Sequence, residues 1–299
     1  TYVCVDMSEA DCVRLCRKIA RGCVKMNASD YEKFIRDDKE KQARILLVRH
    51  GMTQGNKEHR YVGTTDEGLL PESVEQLHGM QEFWCKQAFM KDKTGVLYDR
   101  EKSESVGKPA ANPCEVCAKN VADNLTVYVS TCLRAKQTAD ILFPGAKQVE
   151  IAEFAECRFG TFEYKNYAEL NGNPDYQRFI DSGGTTAFPG GESRAEFTER
   201  VMRGFEKLLA DVEGKQRLTQ DSENLNESKT GKMLTETESV RSHTIVVVAH
   251  GGTIMALLDQ LSEPHKDYFD WQVKPGEGVA GILSVNEDRN VVITNITRQ

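Results

Sequence analysis

The sequence predicts an α/β protein: a three-layer sandwich with a mostly parallel central sheet flanked by helices. Three observations predict it. Residues 45–48 and 245–249 are unbroken apolar runs, the pattern of strands buried on both faces. Stretches with helical spacing of apolar residues lie between such runs. Strand and helix then alternate along most of the chain, as parallel sheets require.

Taken in order, residues 9–26 read as an amphipathic helix, with Ser8 as N-cap and Cys12, Cys16, Ile19 and Cys23 on one face. Ser29 is positioned to cap a second helix, with Tyr31, Phe34 and Ile35 as apolar contacts. Residues 1–43 thus form a helical appendage, or the tail of an upstream domain, and 44–299 the main domain. Residues 45–48 are the first strand. Pro71 opens a helix at the first-turn position proline favours, with Val74, Leu77, Trp84 and Ala88 along one side. A strand at 125–129 and a helix at 135–142 follow, then a short strand at 149–153. Gly191-Glu192-Ser193 leads into a long helix striped by Phe197, Val201, Leu208 and Val212. After the strand at 244–249 comes a helix over 253–261, then a pair of strands at 282–285 and 291–296. Two polar stretches without a period, about 91–122 and 213–243, read as surface insertions; the first, with Cys114 and Cys117, has a lid or a partner surface as its alternative.

Composition narrows the function. A net charge of -7 argues against a nucleic-acid binder, since affinity for a phosphate backbone rests on clustered Lys and Arg. No apolar run approaches the roughly 20 residues a bilayer span needs. Nine cysteines, an odd number, suit reduced thiols and a cytoplasmic location. Cys4, Cys12, Cys16 and Cys23 cluster near the start, but Cys114-x-x-Cys117 has no second Cys-x-x-Cys or paired histidines to complete a zinc or iron–sulfur ligand set, and no metal or cofactor is expected.

The chemistry lies at strand ends, where open parallel sheets form their ligand crevice. One strand runs into Arg49-His50-Gly51-Met52-Thr53-Gln54-Gly55-Asn56, another into Ser130-Thr131-Cys132-Leu133-Arg134-Ala135, and a third into Ala249-His250-Gly251-Gly252-Thr253. Each is weak alone; together they bring two histidines and two arginines to one edge. These motifs, with Glu156-x-x-Phe159-Gly160-x-Phe162-Glu163, resemble the histidine phosphatase superfamily, also called phosphoglycerate mutase-like, over residues 44–299. Ser130 or Thr131 fits the hydroxyl position of the second motif.

The resemblance implies a phosphoglycerate mutase-like fold and a metal-independent hydrolase acting on a small-molecule phosphomonoester. His50 is the implied nucleophile, Glu156 the proton donor and acceptor, and His250 a further catalytic residue. Arg49, Arg134, Asn56 and Gly251 are implied phosphate ligands, with Thr53 orienting the loop and Arg60 at the substrate entrance or simply on a surface turn. Glu153 and Glu163 are the competing carboxylates. His243 and His265 read as surface residues, and so do His59 and His78, with a place near the pocket as their alternative. Residues 159–193 resemble the alpha-ribazole phosphatase branch, which implies alpha-ribazole 5'-phosphate, an intermediate of cobalamin biosynthesis, as substrate. A broad-specificity phosphatase, a phosphoglycerate mutase and a non-catalytic phosphate-binding module are the alternatives, and oligomeric state is left open.

Overall fold

Parallel strands buried on both faces fix the centre of the molecule. The structure, a computed structural model, describes residues 42–89, 125–230, 244–286 and 290–299. The expected helices at the N-terminus, His243, the cysteine pair and all of the first polar insertion lie outside these residues. The described chain runs β1 (Ala43–Arg49), α1 (Gln54–Lys57), α2 (Pro71–Phe89), β2 (Thr126–Val129), α3 (Leu133–Leu142), β3 (Lys147–Glu150), α4 (Tyr167–Leu170), α5 (Pro174–Asp181), α6 (Arg194–Thr230), β4 (Thr244–Ala249), α7 (Gly251–Leu261), β5 (Gly278–Val285) and β6 (Val291–Arg298).

The six strands form one mixed sheet in the order β3-β2-β4-β1-β5-β6. The first four of these are mutually parallel, and β5 and β6 add an antiparallel pair at one edge. Successive side chains of a strand point to opposite faces. Leu46, Val48, Val127, Val129, Val246 and Val248 share a core with Leu77 and Trp84 of α2 and Ala135, Ala139 and Leu142 of α3. The intervening residues Ile45, Leu47, Ile245 and Val247 are equally buried, as are Phe197, Val201, Phe205 and Leu208 of α6 and Ile254, Leu257 and Leu258 of α7. Helices on both faces make the predicted three layers. Among the described residues no helix is long and apolar enough to cross a membrane.

The structure differs from the sequence expectation in three places. The short strand ends at Glu150 and gives way to a single 3-10 turn at Ala152–Phe154. Strand β5 begins at Gly278, four residues before the expected 282, because pairing with β1 recruits the residues ahead of Ile282. The largest change is α6, which continues to Thr230, well into the stretch read as an irregular insertion. From Lys215 to Thr230 the chain holds no proline or glycine and carries many Lys, Gln, Glu and Leu residues, so helix propensity persists where the apolar stripe stops.

Candidate active site

The register of β1 and β4 places two histidines side by side. Arg49 pairs with Ala249 at the end of the two strands, so His50 and His250 emerge together one residue later. Their ring centroids lie 5.0 Å apart, edge to face. The next strand, β2, ends one step away, and Ser130 Oγ meets His250 Nε2 at 2.7 Å.

His50 is 2 % exposed. Its Nδ1 lies 2.7 Å from the Gly51 carbonyl. A carbonyl only accepts, so Nδ1 carries the proton and Nε2 keeps its lone pair. Burial pushes the His50 pKa well below the ordinary 6.5, and the Arg134 and Arg49 cations push it the same way. His250 is lowered likewise, by burial first and then by Arg134. Both rings are therefore neutral at pH 7.

Two arginines stand against the histidines. Arg49 Nη1 donates to the Val273 carbonyl at 2.7 Å, and its guanidinium lies over Gly251. Arg134, fully buried, donates from Nη1 to the Thr65 carbonyl at 2.8 Å and from Nη2 to the carbonyls of Val62 and Gly63, each at 3.2 Å. The Nε atoms of both arginines and Nδ1 of His250 are buried, yet have no hydrogen-bond partner among the described residues. Groups of this kind are rarely left unpaired.

Thr53 caps α1, its side chain accepting from the Asn56 backbone N–H. Asn56 Oδ1 is buried without a partner among the described residues. Gly251 is the first residue of α7, and His250 is its N-cap.

The three candidate carboxylates separate cleanly. Glu153 pairs with Lys207 on the protein surface. Glu163 Oε1 accepts from the backbone N–H groups of Gly63 and Thr65, both at 2.9 Å, and from the Thr65 hydroxyl at 2.8 Å. It braces the loop whose carbonyls hold Arg134, a role the sequence did not reveal. Glu156 alone reaches the histidine edge. Its Oε2 accepts from Gly252 N–H at 3.3 Å at the start of α7, and its charge acts on Arg49.

Arg60 is committed elsewhere. It pairs with Glu58 at 2.5 Å and Glu169 at 2.7 Å and donates to the Tyr164 carbonyl at 2.7 Å, tying the turn after α1 to the capping box of α4. This favours the surface-turn reading over the entrance reading. His59, His78 and His265 are exposed, as expected.

The sequence matches the histidine phosphatase superfamily (branch 1) over residues 45–93 and 115–219, just over half of the chain. No curated protein matches it. Among solved structures, a candidate alpha-ribazole-5'-P phosphatase from Escherichia coli is similar at 19% identity and a TM-score of 0.54, covering 84% of this chain and 94% of that one. The alpha-ribazole phosphatase of Shigella flexneri is similar at 17% identity and a TM-score of 0.51, over 84% of this chain and 96% of that one. A phosphoglycerate mutase from Thermus thermophilus has 23% identity and a TM-score of 0.47, over 85% of this chain and 97% of that one.

Proposed function

The chain belongs to the histidine phosphatase superfamily, and from that premise we propose that it hydrolyses a small phosphomonoester through a phosphohistidine at His50. The observation that carries this reading is the set of buried, unpartnered polar atoms on Arg49, Arg134 and His250 around a neutral His50. Unpaired buried donors cost about 1–3 kcal/mol each. A tetrahedral dianion among them would satisfy several at once, and arginine N–H groups suit phosphate oxygens.

In the reaction, the Nε2 lone pair of His50 attacks phosphorus and the bond to the ester oxygen breaks. Glu156 gives its proton to the departing alkoxide. A water then attacks the phosphohistidine and returns a proton to Glu156, which frees His50 and releases inorganic phosphate. Arg49, Arg134 and His250 hold the phosphoryl oxygens as charge builds on them, usually the largest contribution in phosphoryl transfer. Asn56 and the Gly251 N–H are assigned to the same oxygens.

A mutase needs further cations to hold a second phosphate. Arg158 is paired with Glu192, Arg178 with Asp175, and Arg60 with Glu58 and Glu169. These ion pairs offset the positive charge beside the Glu156 segment and favour hydrolysis. For the leaving group we propose alpha-ribazole 5'-phosphate as the first substrate to test. It is supported by the sequence likeness over residues 159–193 and by the descriptions of the E. coli and S. flexneri structures that share the fold.

The test offers purified protein alpha-ribazole phosphate, 3-phosphoglycerate and an aryl phosphate, with chelator present. Release of phosphate that vanishes in His50→Ala is expected. Full activity in His50→Ala would sink the assignment, and phosphate moving without release would mark a mutase.

A further inference from the structure

Glu156 sits on irregular chain. The segment runs from the 3-10 turn at Ala152–Phe154 to the next at Gly160–Phe162, outside the strands of the sheet. A carboxyl group carried on such a segment needs another element to fix it.

Glu192 and Arg200 supply that element. Arg200, on α6, donates from Nη1 to the carbonyls of Glu153 at 2.8 Å and Ala155 at 2.9 Å. Its Nη2 donates to the carbonyl of Glu156 itself at 3.1 Å. Nε and Nη2 also make a two-pronged pair with Glu192, each bond 2.8 Å. Glu192 is 2 % exposed, and its Oε2 accepts the backbone N–H of Arg158 at 3.0 Å. One ion pair therefore grips the chain on both sides of Glu156: three carbonyls up to and including it, and the N–H two residues beyond. From the α7 side, Gly252 N–H holds the carboxylate.

A buried ion pair is a poor source of stability, because desolvation offsets its attraction. Its advantage here is geometric: the planar fork of arginine reaches three carbonyls and a carboxylate at once, which lysine cannot do. We infer that Glu192 and Arg200 are positioning residues for Glu156, setting where its carboxyl lies relative to the leaving-group oxygen. The inference rests on Glu156 being the proton donor. Misplacing a catalytic group by about 1 Å costs on the order of 100-fold in rate.

The experiment compares kcat/KM for two esters on the same enzyme samples. Glycerol phosphate leaves as an alkoxide and needs the proton; para-nitrophenyl phosphate leaves as a stable phenolate and does not. The ratio of the two cancels the fraction of correctly folded enzyme, so a variant that folds poorly still reports. Wild type, Glu156→Gln, Glu192→Gln and Arg200→Lys are measured side by side. Glu192→Gln and Arg200→Lys are expected to lose about tenfold or more on the alkyl ester and less than about threefold on the aryl ester, in the same sense as Glu156→Gln. If both brace variants lower the two esters equally while Glu156→Gln stays selective, the positioning role is overturned and the donor assignment stands. If Glu156→Gln also lowers both esters equally, the donor assignment falls and the brace role falls with it.

Discussion

Replacing Arg134 with methionine keeps an unbranched stem in a fully buried position and removes the guanidinium. Its Nη1 and Nη2 hold the carbonyls of Val62, Gly63 and Thr65, while its Nε–H is unpartnered among the described residues. Different atoms thus hold the loop and, in the proposed phosphate cradle, meet the substrate, and the losses can be measured apart. One hydrogen bond from a charged donor is worth about 1.5–3 kcal/mol. Lost in the transition state, it lowers kcat/KM by about ten- to 150-fold. The carbonyls lose their donor as well, at about 1 kcal/mol each where water does not replace it, so the melting temperature falls too. The third effect is on His50. Burial is the larger cause of its lowered pKa and remains, but the Arg134 cation is the next cause and disappears. The His50 pKa therefore rises toward 6.5, and the acid limb of kcat/KM moves to higher pH. The assay is a pH profile of kcat/KM on an alkyl phosphate, variant against wild type so that substrate ionisation cancels, with a thermal melt alongside. A kcat/KM within about threefold of wild type and an unmoved acid limb would refute the phosphate cradle and leave Arg134 as a loop brace.

Two further outcomes follow from the same geometry. In Gly252→Ala the new Cβ would lie 2.2 Å from Glu156 Oε1, so the carboxylate has to shift; kcat on alkyl esters should drop about tenfold or more, and unchanged turnover would show that this contact does not set the donor. Acid should weaken the fold through its buried histidines. His50 and His250 titrate well below 6.5 when folded, and near 6.5 when unfolded, so the unfolded chain takes up protons first. Their stabilising contribution is complete above about pH 6.5 and is lost as pH falls through that value toward the lowered one. The melting temperature should decline between about pH 6.5 and 5, with a shallower slope in His250→Asn; equal slopes would contradict the linkage.

The sequence by itself determined the sheet and the histidine edge. Unbroken apolar runs at 45–48 and 245–249 mark strands buried on both faces, and chemistry-bearing residues directly beyond them must emerge at a sheet edge. That the two histidines share one edge follows once β1 and β4 pair in parallel, and the register set them 5.0 Å apart. What only the tertiary structure decided was the choice among chemically equal groups. Glu153, Glu156 and Glu163 lie within one short segment and carry the same carboxylate. A surface lysine takes the first, the start of α7 the second and the loop at 63–65 the third. Arg60 was drawn into ion pairs with Glu58 and Glu169, the second far away in the chain. Glu192 and Arg200 become a grip on Glu156 only because α6 packs beside that segment. Periodicity records burial, which is local and repeats along the chain. A hydrogen-bond partner tens of residues away leaves no period, so only the packed fold discloses it.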